Sequence, residues 1–211
     1  IMNEIVAALL TALSGYLLGS LCFGVIFTRM FIHKDIRGFG SGNAGMTNVL
    51  RSVGTAAGAL TGIGDFAKGA AAIIIGRSLF TSVGADPYIG ACLGSMCALL
   101  GHLFPVYFGF KGGKGVMVSA GIMLVLNPKL LLVCGAVFAL VFLISQIVSL
   151  SSLAASAACP IANFVISTIT GSERIYSTAL TLCMAAMIFY SHRENIKRLC
   201  AGTEKKLVIK K

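Results

Sequence analysis

Apolar runs follow one another along nearly the whole 211-residue chain, separated by breaks rich in glycine, serine and charge. Charged residues make up 11% of the chain and hydrophobic ones 57%, whereas a soluble domain of this size carries about 25% charged residues. Such a chain is expected to lie in a lipid bilayer. There the backbone N–H and C=O groups must find partners within each segment, which favours helices of about 20 residues. The expected fold is an all-α integral membrane protein, one domain with seven transmembrane helices. The spans are Ile5 to Met30, Val53 to Phe80, Pro87 to Phe108, Val116 to Leu126, Leu130 to Ile147, Leu153 to Thr168 and Ile175 to Tyr190. The fourth is short by itself and is expected to borrow loop residues. Ser149, Ser151 and Ser152 read as a turn between the fifth and sixth.

Basic residues set the orientation. One side receives Arg29, Lys34, Arg37, Arg51, Lys111, Lys114, Arg193, Lys197, Arg198, Lys205, Lys206, Lys210 and Lys211; the other receives Lys129 and Arg174. Lys68 and Arg77 lie within the second span. The bias puts the C-terminus in the cytoplasm and the N-terminus outside. The net charge of +10 then suits anionic lipid headgroups or anionic substrates. No basic stripe with interleaved aromatics points to nucleic acid. The first run follows Asn3 and Glu4 without a basic leader and is expected to be retained, not cleaved. Seven cysteines without CxxC spacing read as small apolar residues rather than a disulfide framework or zinc site.

The break after the third span reads Gly109-Phe110-Lys111-Gly112-Gly113-Lys114-Gly115. Glycine turns can aim consecutive amides at an anion, and the lysines add full charge. A phosphate-bearing ligand at the membrane surface is the expected occupant. The stretch is not a P-loop: Phe108 stands where that motif needs its first glycine, and Gly115 where it needs Ser or Thr.

Two further segments share that predicted face. Gly38 to Arg51 holds four further glycines, with Ser41, Asn43 and Thr47 as small polar donors. Its terminal guanidinium matches phosphate geometry. Ser191 to Lys206 carries His192 and Asn195 three apart, expected on one helical face, with Arg193, Lys197 and Arg198 turned to headgroups. Asp65 and Lys68 sit at membrane depth at i, i+3 spacing and are expected to pair. His102 and His33 have no partner cluster in the sequence, so His102 is read as a residue that packs or that supports the site from behind. The remaining carboxylates are scattered. No DxxD, DxD, HExxH or GxSxG stretch occurs, so no metal, cofactor or covalent serine is expected. A phosphate transporter would suit the loops but predicts an internal repeat, and none is evident.

At GSGNAGMTNVLR, GHLFPVYFGFKGGKG and SHRENIKRLCAGTEKK the chain resembles the bacterial acyl-phosphate:glycerol-3-phosphate acyltransferases of the bacterial inner membrane, and the resemblance covers essentially its whole length. It implies transfer of a fatty acyl group from acyl phosphate to the sn-1 hydroxyl of glycerol 3-phosphate, giving lysophosphatidic acid and phosphate. The active site would face the cytoplasm, and the protein is expected to be a monomer. By position, Arg51, Lys114, Ser152, His192 and Asn195 match residues of the glycerol 3-phosphate side. Ser41, Asn43, Thr47, Gly112 and Gly113 match those of the acyl-phosphate side. One departure is Cys22, where the family often carries proline.

Overall fold

The computed structural model describes residues 2–171 and 175–207. Glu173 and Arg174 of the expected sixth turn, and Lys210 and Lys211 of the tail, lie outside the described residues. Among the described residues there is no strand, and the chain divides into two compact units, 1–126 and 127–211.

The first unit contains α1 (Glu4–Gly19), α2 (Phe23–Ile32), α3 (Met46–Ser52), α4 (Thr55–Thr81), α5 (Pro87–Leu103) and α6 (Val116–Leu126). Asn3 caps α1 by accepting from the Val6 amide, and Asp86 caps α5 with Pro87 in its first turn. α4 and α5 form the spine, with α1 packed on both and α6 on α4. Their backbones approach closely: a Cβ at Gly76 would strike the carbonyl of Gly90, and one at Gly90 would strike that of Gly76. Small residues at crossings are how helices associate where lipid removes the hydrophobic driving force.

The second unit contains α7 (Pro128–Ser145), α8 (Val148–Thr170), α9 (Ile175–Ser191) and α10 (Arg193–Cys200). Asn127 and Pro128 are the N-cap and first residue of α7. α8 packs between α7 and α9, and Asn163 Nδ2 donates to Ser177 Oγ at 3.3 Å.

Among the described residues, five stretches are long and apolar enough to cross a membrane: 4–32, 55–81, 87–108, 128–145 and 148–170. Counting α9 and α10 together, which meet at a 63° bend, gives six. The first stretch is broken at Ser20–Cys22, between α1 and α2. α6 does not borrow loop residues. It begins at Val116 and has 11 residues, about 16 Å of helix against a hydrocarbon core of about 30 Å.

The expected serine turn is also corrected. Ser149, Ser151 and Ser152 lie buried in the first turns of α8. Ser151 Oγ donates to the Ile147 carbonyl and Ser152 Oγ to that of Val148, each at 2.9 Å. Hydroxyls that return to a carbonyl four residues back need no water. Large side chains such as Ile5, Ile144 and Ile169 are more than two-thirds exposed, a surface that suits lipid and not water. Cys183 is likewise exposed rather than buried, so packing does not account for it.

Candidate active site

The glycine-rich segment before α3 is built around Asn48, a residue the sequence did not single out. Its buried amide accepts from the Ser41 N–H at 3.0 Å and donates to the carbonyls of Phe39 and Asn43, each at 2.9 Å. A donor and an acceptor on one short side chain fix both limbs of the loop at once. Asn43 Oδ1 accepts from the Gly45 N–H at 3.0 Å, shaping the entry to α3. Ser41 is exposed, Thr47 is half-buried in the first turn of α3, and Arg51 is exposed in its last turn.

This loop is braced against the glycine–lysine loop. Asn43 Nδ2 reaches the Gly112 carbonyl at 3.5 Å. Arg37 donates to the Phe108 carbonyl at 2.6 Å and holds Asp35 through Nε and Nη2, at 3.0 and 2.8 Å. The Arg37 guanidinium holds the Asp35 carboxyl down at about 2.

The glycines of the second loop serve packing. The Gly112 and Gly113 amides donate to the carbonyls of Leu103 and His102, at 3.3 and 3.1 Å. They are turned to the end of α5 and not to an open cradle, which departs from the expectation for this loop. A side chain at either position would collide with His102, and Gly115 lies at φ +84°. Lys114 is half-buried and stands two residues before α6, whose N-terminus favours negative charge.

Behind this loop lies a buried cluster. Asp65 Oδ1 is 2.9 Å from Lys68 Nζ, the expected pair, with both side chains almost fully enclosed. His102 joins them and so does more than pack: its Nδ1 lies 2.9 Å from Lys68 Nζ and 3.5 Å from Asp65 Oδ1. Lys68 Nζ also donates to the Leu21 carbonyl at 2.6 Å. That carbonyl lies in the break between α1 and α2, beside Cys22, which is the N-cap of α2.

In the second unit the hub is Glu204, one of the carboxylates read as scattered. Its Oε1 accepts from Ser149 Oγ at 2.8 Å and from Asn195 Nδ2 at 2.6 Å, and its Oε2 from Arg198 Nε at 2.6 Å. Burial opposes ionisation of this carboxyl, but the bonds from Ser149, Arg198 and Asn195 prevail and hold it below its usual range. Arg198 is therefore tied into the protein, where the sequence suggested headgroups. Lys197 pairs with Glu194 at 3.1 Å, and Arg193 lies over the Tyr190 ring.

His192 does not share a helix with Asn195 as expected. It occupies the corner between α9 and α10 as the N-cap of α10, and both residues are buried. His192 Nδ1 lies 2.8 Å from the Ile188 carbonyl. A carbonyl only accepts, so Nδ1 carries the proton, and in the neutral ring Nε2 holds the lone pair. Ser152 is buried, with its proton directed into α8.

Of the expected residues, Ser41, Asn43, Thr47, Arg51, Gly112, Gly113 and Lys114 belong to the first unit, and Ser152, His192 and Asn195 to the second. Among the described residues no group of three His, Cys, Asp or Glu side chains is disposed to hold a metal ion.

A family model described as glycerol-3-phosphate acyltransferase matches residues 9–202. The glycerol-3-phosphate acyltransferase of Clostridioides difficile (strain 630) is 41% identical over 208 residues, covering 99% of each chain. Glycerol-3-phosphate acyltransferase 2 of Bacillus anthracis is 41% identical over 95% of this chain and 99% of its own. Two crystal structures of PlsY, an integral membrane glycerol 3-phosphate acyltransferase, are similar at 35% identity. The glycerol 3-phosphate form gives a TM-score of 0.82 over 95% of this chain and 96% of that one. The lysophosphatidic acid form gives 0.78 over 95% of each.

Proposed function

The chain belongs to the glycerol-3-phosphate acyltransferase family of integral membrane enzymes, PlsY type, which act in phospholipid synthesis; from that premise we propose that its donor is a fatty acyl phosphate and its acceptor the sn-1 hydroxyl of glycerol 3-phosphate. The observation that carries this reading is the bracing of two glycine-bearing loops, through Asn43–Gly112 and Arg37–Phe108, around a lysine at the start of a helix. An acyl phosphate needs such a place for its phosphoryl group. Its carbonyl is already activated, so the enzyme requires no potent nucleophile.

In the proposed reaction the acceptor hydroxyl attacks the acyl carbonyl. The ester C–O bond forms, the C–O bond to phosphate breaks, and the departing phosphate takes the hydroxyl proton. Lys114 and Arg51 offset the charge that accumulates as two anions meet, while Ser41, Asn43, Thr47, Gly112 and Gly113 line the donor side. His192, Asn195 and Ser152 belong to the acceptor side, and we read the chain as one catalytic domain. No cofactor takes part. The acyl tail lies among the helices, open to membrane lipid.

We place the protein as a monomer in the bacterial inner membrane with seven crossings, N-terminus outside, C-terminus and active site at the cytoplasm. Support for the orientation comes from the basic-residue bias. Support for the count comes from α6, which needs only a locally thinned bilayer to serve as a short crossing.

The test is phosphate release and product analysis with acyl phosphate, acyl-CoA or acyl carrier protein offered in turn. Turnover from acyl phosphate alone, giving the 1-acyl product, is expected; turnover from either thioester without acyl phosphate would overturn the donor. Cys200 is exposed, so an impermeant thiol reagent should reach it only from the cytoplasmic face.

A further inference from the structure

The buried Asp65–Lys68–His102 cluster has no part in the mechanism above, yet its imidazole touches the glycine–lysine loop. Lys68 has three ammonium protons and no acceptor. Three groups lie within reach of them: the Leu21 carbonyl at 2.6 Å, Asp65 Oδ1 at 2.9 Å and His102 Nδ1 at 2.9 Å. Of the two groups at Nδ1, the donor-only ammonium at 2.9 Å is nearer than Asp65 Oδ1 at 3.5 Å, so we take that nitrogen as the acceptor and the proton of the neutral ring as lying on Nε2. The nearby carboxylate balances the ammonium, so the ring needs no charge of its own.

Nε2 lies where a side chain of Gly113 would be. His102 is 4% exposed, and its Nε2 has no hydrogen-bond partner among the described residues. A donor not engaged within the protein is available to a ligand at the loop. The loop, meanwhile, has turned its Gly112 and Gly113 amides to α5. The loop thus forgoes two donors of its own, while a donor from α5 is brought up beneath it.

We propose that His102 is a binding residue of the donor side, its Nε2–H donating to a phosphoryl oxygen held at the glycine–lysine loop, with Asp65 and Lys68 as positioning residues that fix its tautomer. This rests on the reading of the loop as a phosphate site. Gly113 is glycine, on this account, because any side chain there would displace the imidazole.

The first experiment uses the unaltered full-length chain in lipid nanodiscs, 15N-labelled at its three histidines. At neutral pH the His102 ring should be neutral with its proton on Nε2. That N–H resonance should move on adding inorganic phosphate at a concentration that inhibits turnover. A proton on Nδ1, a charged ring, or no response to inhibitory phosphate would overturn the proposal.

The second compares His102→Asn with His102→Gln. Asparagine retains an acceptor near Nδ1 but offers nothing at the loop. Glutamine places an amide donor near the position of Nε2. His102→Asn should raise KM for acyl phosphate about 10- to 100-fold, the range expected for a lost hydrogen bond to a charged group. KM for glycerol 3-phosphate should change little, and His102→Gln should recover most of the loss. Equal damage by both variants to both substrates would mean a packing histidine and overturn the proposal. Should the enzyme prefer another acyl donor, the donor assay would fail while the Nε2–H still reported phosphate, so the two readings fail separately.

Discussion

The first unit encloses a charged cluster within its helices, and the second gathers one where helices end. Asp65, Lys68 and His102 are enclosed between α4 and α5, and each buried donor or acceptor depends on the others. Glu204 instead reaches from the tail to the first turn of α8 and to α10, holding Ser149, Asn195 and Arg198. A low dielectric strengthens the first arrangement and makes any gap in it expensive. The second arrangement is built later in the chain and ends on a partly exposed arginine, and it should yield in smaller steps. The difference teaches where each cluster will fail.

The sharpest break is Lys68→Met, which leaves the Asp65 carboxylate enclosed without its cation. Removing one member of a buried pair costs about 3–5 kcal/mol, so a large fall in unfolding temperature in detergent is expected, with loss of folded yield. Replacing both members, Asp65→Leu with Lys68→Met, should restore most of the stability, because two apolar side chains leave no orphaned charge. It should not restore activity, since His102 has then lost the partners that set its tautomer. Recovery of both together would erase the distinction between this cluster and ordinary packing.

Lys114→Ala tests the same unit from the other direction. Lys114 is half-buried in a loop rather than enclosed within a helix. Insertion and unfolding temperature should change little, while acyl transfer falls about 100- to 1,000-fold, the scale of losing a preorganised charge at a reacting group. Steady-state phosphate release checks this. A fully active variant would remove Lys114 from the site.

Much of this architecture is visible in the residue order, and the failures have a common cause. Apolar runs placed the long helices to within a few residues because hydrophobicity is a local property. The i, i+3 pair of Asp65 and Lys68 is a neighbour contact, local in the same way. The partner of His102 was missed because Lys68 is 34 residues away on another helix. Glu204 was misread because Ser149 is 55 residues away. Asn48 looked like any polar residue beside glycines, though an amide at the third position of a helix after such a loop is a signal for the role. The serine run misled differently: three hydroxyls suggested water, but helical carbonyls satisfy two of them and Glu204 the third.

Glu204→Gln probes the second unit at intermediate cost. The amide keeps one acceptor but gives up the ion pair with Arg198, whose side chain is 39% exposed. A loss of about 1–2 kcal/mol is expected, with reduced turnover as α10 loosens and Asn195 drifts. The pH dependence gives a separate check. The folded carboxyl titrates below its unfolded value of about 4.3, so its stabilisation is present above that pH. It is lost as pH falls through the folded value. The unaltered protein should therefore lose stability on acidification below about pH 4, and Glu204→Gln should lose less over that interval. Equal slopes would show that the hub carries no weight in the second unit.

The smallest effect is expected at Arg37, where the first unit itself has a contact at the water's edge. Asp35 and Arg37 are each about a quarter exposed, at 29% and 27%, and exposed pairs contribute little, about 0–1 kcal/mol. The arginine does one thing the pair does not: it donates to the Phe108 carbonyl and so ties the two glycine loops. Arg37→Lys keeps the charge but cannot serve Asp35 and Phe108 with one planar fork. Unfolding temperature should hardly move, while KM for acyl phosphate rises a few-fold through a looser donor site. Because the Asp35 carboxyl is held at about 2, its contribution is present above about pH 3.9 and disappears only as pH falls towards 2. Acidification to pH 4 should therefore leave this contact intact while the Glu204 hub begins to weaken, and failure of the two at the same pH would break the contrast between the units.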